Sequence, residues 1–306
     1  MKKLYILLIF FINYSFFAQI DNHILKIQDP ANYPFYKTVT ESLNDKTTFK
    51  EIYKYIDSLS FYGLSYKSSD NLRIGGYLIE PKKAGNYPVI IFNRGGNGHY
   101  GTLKFDFLAK FLGKIASAGY IVIGSQLRGS EVSEGQDEFG GKDVDDVLDL
   151  FKIIDKLPNA DKSRIAVFGW SRGVMTNYLM LKKTNRIKTN ITIAGQADLA
   201  STSRKEMFKV YSNRIPNYYN DTLKALKSRS SLIAIDSIKN INLTNFIIHG
   251  NKDDKVNVEN AFDLYNKLNT NKYMTRLLIY ENEDHGLSGV TTNLLNQITD
   301  WLKKYL

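Results

Sequence analysis

Two hydrophobic patterns alternate over most of this chain. Short apolar runs bounded by turn residues read as buried strands. Longer stretches with apolar positions three and four apart read as helices. From residue 61, runs at 61–68 and 72–81 flank the turn Ser69-Asp70-Asn71 and predict an antiparallel hairpin. A strand at 89–93 precedes an apolar-rich helix over 103–118, closed by Gly119. A strand at 120–124 then runs into a long loop over 126–141. Helix 143–156 carries Val144, Val147, Leu148, Phe151 and Ile154 on one face. Strand 165–168, helix 171–182 and strand 187–194 follow, and strand 245–249, helix 256–268, strand 275–280 and helix 290–305 finish the chain. Strands and helices joined this closely predict the α/β class, with a mainly parallel eight-stranded sheet covered by helices on both faces.

Two stretches break the alternation. Residues 196–242 are polar, rich in Ser, Lys and Tyr, and read as a small inserted cap-like region. Within it, Asn217-Tyr218-Tyr219 suits pocket lining and plain packing equally. Residues 19–60 are polar and aromatic with weak periodicity, and read as an N-terminal extension packing on a catalytic domain that spans 61–306.

The first eighteen residues follow another rule. Met1-Lys2-Lys3 precede an apolar stretch of about 15 residues ending at Ala18, short of the roughly 20 that cross a bilayer. Residues 1–18 are expected to be a signal peptide, although Phe16 is large for its position before the cut. The product would be exported to a periplasm or medium, with no stable membrane insertion after cleavage. A retained anchor through residues 4–18 is the alternative.

Composition narrows the chemistry. At 306 residues, 43% apolar and 24% charged, the chain suits one large globular domain and excludes a disordered or polytopic membrane protein. It has no cysteine, which removes disulfides, thiolate nucleophiles, zinc–thiolate sites and iron–sulfur clusters together. The net charge of +10 is scattered, with no lysine run longer than pairs such as Lys303-Lys304. It reads as a basic solvated surface rather than a nucleic-acid site.

Gly96-Asn97-Gly98-His99-Tyr100-Gly101 spells a dinucleotide fingerprint after a strand. The following strand ends in Ser125, Gln126, Leu127 and Arg128, with no carboxylate for a ribose, and the motif lies on the third strand. A better use of bare glycine N–H groups there is to face a developing negative charge.

The stronger signal is Gly169-Trp170-Ser171-Arg172-Gly173, a G-x-S-x-G between strand and helix. That context strains the serine, demands glycine at its flanks, lifts the hydroxyl clear and frees the Arg172 N–H. A serine hydroxyl needs a base. Of four histidines, His23 is near the terminus, His99 lies in the glycine loop and His249 ends an apolar strand as a core residue. His285 sits in a loop between the last strand and last helix and is the candidate base. A carboxylate must orient it. Asp253 and Asp254 both follow strand 245–249, and spacing does not separate them; Asp284, adjacent to His285, points away. The order serine, acid, histidine is that of α/β-hydrolases.

Together these segments resemble the catalytic domain of the prolyl oligopeptidase family of serine peptidases. The matching residues are Leu127-Arg128-Gly129-Ser130, the G-x-S-x-G, His249-Gly250-Asn251-Lys252-Asp253-Asp254-Lys255-Val256 and Asp284-His285-Gly286. The resemblance runs from about residue 75 onward. It implies an α/β-hydrolase fold and a Ser171, Asp253, His285 triad, with the H-G-x-x-D-x-x-V pattern selecting Asp253. The chain departs from the family in two ways. The residues before 61 are too few for the family's β-propeller, and the oxyanion loop reads Asn93-Arg94-Gly95-Gly96-Asn97. The N–H groups of Arg172 and Gly95 are therefore the expected oxyanion donors.

The reading is of an exported serine hydrolase cleaving peptide or ester bonds of small substrates through an acyl-enzyme, with no cofactor or metal required. Carboxylesterase action on small esters is the alternative; a catalytically silent binding protein on the same scaffold is the second. Arg94, reaching for a substrate carboxylate, and Trp170 are the candidate substrate contacts, with a surface ion pair as the other use of Arg94. The acids Asp137, Glu138, Asp143, Asp145 and Asp146 are expected to favour the N-terminus of helix 143–156 and otherwise to be solvated, rather than to hold a cation.

Overall fold

A computed structural model describes residues 26–27, 40–43, 46–130 and 132–306, with side chains from residue 49 onward. The expected signal peptide over 1–18 and most of the stretch 19–48 lie outside the described residues.

Strand β1 (Lys26–Ile27) edges the sheet, and β2 (Thr40–Leu43) with β3 (Lys46–Phe49) forms a separate hairpin. A 3-10 helix, Glu51–Ser58, leads to β4 (Leu59–Lys67), which pairs antiparallel with β5 (Arg73–Pro81) through nine residues each. Next come β6 (Tyr87–Asn93), helix α1 (105–116) with a π-helical segment at Leu108–Leu112, and β7 (Ile121–Ser125). Helix α2 (142–154) is interrupted by a turn at Asp149 and precedes β8 (Ala160–Trp170). Helix α3 (Arg172–Leu181) and β9 (Ile187–Ile193) follow. The region 196–242 folds into short helices α4 (Glu206–Arg214), α5 (Thr222–Lys227) and α6 (Ser231–Ile235). Strand β10 (Thr244–Gly250), helix α7 (Glu259–Thr270), β11 (Met274–Tyr280) and helix α8 (Thr291–Tyr305) complete the chain.

The sheet order is β1-β4-β5-β7-β6-β8-β9-β10-β11. Eight strands form the sheet the sequence predicts, and the two-residue β1 adds a ninth at the edge. From β7 to β11 all pairings are parallel, while β4 and β5 run antiparallel. This is the α/β-hydrolase fold.

Side chains on successive strand positions point to opposite faces, and the buried residues obey that rule. On β6 and β7, Val89, Ile91, Ile121 and Ile123 join the core beneath α2, α3 and α7, whereas Ile90, Phe92 and Val122 join the core beneath α1 and α8. Each fully buried Ile or Phe contributes about 1.5–3 kcal/mol by leaving water. Ile56 of the 3-10 helix enters the second core, and the Tyr55 hydroxyl donates to the Ala109 carbonyl. Among the described residues no helix is long and apolar enough to cross a membrane.

Parallel strands put their carboxyl ends at one edge. Strand β6 leads through α1 to β7 on one side, whereas its other neighbour, β8, leads through α3 away to β9, so the connections after these two adjacent strands leave in opposite directions. Loops beyond such a switch point diverge and open a crevice.

Candidate active site

Strand β8 runs into α3 with one residue between, Ser171, at φ 56° and ψ −121°. A positive φ costs a non-glycine residue about 1–3 kcal/mol, so surrounding contacts must hold it. The Ser171 N–H donates to the Ile193 carbonyl at 2.8 Å. A Cβ on Gly169 would run into the Gly173 carbonyl, and one on Gly173 into the Asn93 carbonyl oxygen. Both flanking glycines are therefore steric necessities, and the serine stands above the sheet at the start of a helix.

The acid and the base come from loops after β10 and β11. Asp253 is buried, and its Oδ1 accepts the N–H groups of Lys255 and Val256 at 2.8 Å each. Its Oδ2 accepts His285 Nδ1 at 2.8 Å. A ring nitrogen bonded to a carboxylate carries the proton, so Nε2 of His285 is left with its lone pair. Burial works against ionisation of Asp253. The hydrogen bonds from His249, His285 and Val256 outweigh it and hold the carboxyl well below the usual carboxylate range. Asp254 is exposed and pairs with Lys255, and Asp284 accepts the Gly286 N–H. The imidazole loop lies beside the elbow, since Trp170 Nε1 donates to the His285 carbonyl at 3.1 Å. Ser171 Oγ itself makes no hydrogen bond among the described residues and faces the cavity described below.

Gly95 backs directly on the serine: a Cβ there would stand 3.0 Å from Ser171 Cβ. The loop behind it is fastened by Arg94, which corrects both expectations for that residue. Arg94 is buried, and its guanidinium donates to the carbonyls of Gln126 (3.1 and 2.8 Å), Gly95 (2.9 Å), Tyr100 (3.1 Å) and Gly98 (2.8 Å). All five N–H donors are used, so it neither reaches a substrate carboxylate nor forms a surface ion pair. Desolvation lowers its pKa to about 10, which leaves it cationic at neutral pH.

The acidic cluster also differs from expectation. Asp137, Asp143 and Asp146 are buried, not solvated. Arg172 binds Asp137 in a two-pronged pair at 2.6 and 2.7 Å and Asp143 at 2.7 Å, with its guanidinium 4.4 Å from the centre of the Phe139 ring. Asp146 pairs with Arg128, which also grips Asp70. Asp143 does accept the N–H groups of Gly140 and Gly141 at the start of α2. Among the described residues no group of three or more His, Asp or Glu could hold a metal ion. The signal missed in sequence was the pair of arginines, Arg128 and Arg172, each inside a motif credited to other duties.

A cavity of about 60 Å³ opens at Ser171, with Phe139, Met175, Leu199, Met207, Tyr211 and Val256 among its walls. It is narrow and mostly apolar, a fit for a small hydrophobic group. Trp170 does not line it: the indole packs against Phe107 and Phe111 on the other side of the elbow. Nor do Asn217, Tyr218 or Tyr219; Tyr218 is buried in the first core and Tyr219 is exposed.

A sequence model described as "Prolyl oligopeptidase family" matches residues 103–306. The chain is 26% identical over 239 residues to the uncharacterized peptidase YtmA of Bacillus subtilis, covering 77% of this chain and 90% of that one. Its fold superposes on dipeptidyl peptidase 4 of Porphyromonas gingivalis with a TM-score of 0.66 at 22% identity, over 81% of this chain and 36% of that one. It superposes on an acetyl xylan esterase from Paenibacillus sp. R4 with a TM-score of 0.64 at 17% identity, over 93% and 89%. The chain thus spans most of two of these proteins and about a third of the dipeptidyl peptidase.

Proposed function

The chain belongs to the prolyl oligopeptidase family of serine hydrolases, and from that premise we propose an exported peptidase of small substrates working through a Ser171–Asp253–His285 triad. The observation that carries the reading is the 2.8 Å contact of His285 Nδ1 with a buried carboxylate, beside a serine strained at positive φ.

Nε2 of His285 takes the proton as Ser171 Oγ bonds to the substrate carbonyl carbon. The carbonyl oxygen gains the charge and is met by the N–H groups of Arg172 and Gly95. Collapse expels the amine, which receives the proton from the imidazolium that Asp253 stabilises. Water, deprotonated by the same imidazole, then releases the acyl group and restores the serine. A second reading, hydrolysis of small esters, is supported by the near full-length likeness to an acetyl xylan esterase.

Wild-type protein should label with a fluorophosphonate, and Ser171→Ala should not. In turnover, Ser171→Ala should lose about a million-fold in kcat. A panel of peptide p-nitroanilides beside p-nitrophenyl esters divides the two readings. Equal labelling of wild type and variant would sink the serine assignment.

A further inference from the structure

A second cavity, of about 460 Å³, lies behind one wall of the first. The wall is the Arg172–Asp137 ion pair: Arg172 lines the cavity at Ser171 and Asp137 lines the other. Helix α4 borders both. Met207 and Tyr211, four residues apart, face the serine, while Asn213 and Arg214 face the second cavity. Asn97 enters from the opposite side, two residues beyond Gly95 on the loop that backs Ser171.

Arg214 supplies the charge here. Its guanidinium rests on Gly98, where a Cβ would come within 2.6 Å of Nη2 and the arginine would have to shift. Among the described residues, no hydrogen-bonding or carboxylate partner engages that guanidinium, whereas Arg94 is held by carbonyls and Arg128 and Arg172 are each paired with two aspartates. Asp137 does not neutralise it. The two buried aspartates, Asp137 and Asp143, are already matched by Arg172 and the nearby Arg94. The side chains of Asn97, Gln136 and Asn213 add amide groups to the same cavity. The region 196–242 around it has eight Lys and Arg against four Asp and Glu. A guanidinium fork with amide groups and no counter-ion suits an oxyanion, and on a peptide or ester substrate that group is a carboxylate.

We propose that this second cavity is a subsite for a substrate carboxylate held by Arg214, which makes the enzyme selective for short, negatively charged peptides or esters. The proposal rests on the hydrolase reading above and names its substrate class.

Two matched substrate pairs test it and distinguish the side of the scissile bond on which the carboxylate lies. One is tetra-alanine as free acid against its C-terminal amide. The other is succinyl-trialanine p-nitroanilide against the acetyl form. The carboxylate member of one pair should have about tenfold higher kcat/KM at low ionic strength, with the ratio shrinking as salt is added. Arg214→Gln should bring the ratio close to one, and Arg214→Lys should keep part of it. Calorimetry of the four compounds with Ser171→Ala protein reads the same preference without turnover. Tighter binding of a carboxylate member that Arg214→Gln abolishes supports the subsite, even if fluorophosphonate labelling were to fail and sink the hydrolase reading. No carboxylate preference in either pair, or one that survives Arg214→Gln, overturns it.

Discussion

Asp253 Oδ2 serves two imidazoles. His285 Nδ1 stands 2.8 Å away, and His249 Nε2 stands 3.1 Å away on the buried side. His249 Nε2 also lies 2.8 Å from the Val256 carbonyl, which can only accept, so that nitrogen carries a proton shared between carbonyl and carboxylate. The residue therefore ties Asp253 to its own loop while leaving the outer lone pair for His285. His249→Phe keeps the bulk and removes the donor. It should lower kcat by ten- to a hundredfold with little change in KM, and His249→Asn should recover part of the loss. A KM effect alone, or no rescue by Asn, would assign His249 to packing. Sequence reading identified His249 as a core residue at a strand end, and it is buried. Its contact with Asp253 was not legible, because it depends on how the loop 251–256 folds back over β10. The Asp253–His285 pair rested on a family pattern for the same reason: spacing alone left two neighbouring aspartates open.

The connection between β8, α3 and α2 is held by charge. Arg172 carries a backbone N–H proposed for the oxyanion and a side chain that ties Asp137 and Asp143 beneath the elbow. Burial would raise the Asp137 pKa, but Arg172 and the N–H groups of Gly98 and Phe139 bring it down to about 2 from an ordinary 3.8. A carboxyl held low in the folded state contributes stability above its unfolded pKa and loses it as pH falls through the folded one. The window is therefore about pH 4 to 2. Asp137→Asn leaves a buried guanidinium half paired and should cost about 3–5 kcal/mol at pH 7. Thermal unfolding across pH should show the gap between variant and wild type narrowing through that window. A gap unchanged down to pH 2 would remove the ion pair from the stability of the elbow. Local charge patterning had assigned these acids to the end of α2, which describes Asp143 in part. It could not reveal a partner arriving from another helix, α3.

At the scale of the molecule, two layers were unequally legible. The alternating core was readable because each strand and helix presents a buried face at its own period, so local pattern and tertiary burial agree. The region 196–242 was not, because its helices are too short to carry a periodic face and depend on the body beneath. Tyr211 packs edge-on against Phe139 at 5.0 Å. Asn260 of α7 accepts the Ala197 N–H, and Arg229 Nε donates to the Phe139 carbonyl at 2.9 Å. The Phe139 contacts fix the roof of the serine cavity to the loop that also supplies Asp137, and the Asn260 contact fixes it to α7. Arg229 is half-buried, and its loss frees the 138–139 carbonyls and the α5–α6 junction together. Arg229→Met should therefore loosen the roof before the sheet. Trypsin should cut several-fold faster at the exposed Lys205, Lys209, Lys224 and Lys227, and KM for small substrates should rise. Fluorophosphonate labelling of Ser171 should persist, because the elbow is held from β9 and β6 rather than from above. Unchanged proteolysis would mean that apolar packing alone seats the roof. Loss of labelling along with the roof would mean that roof and elbow unfold as one unit.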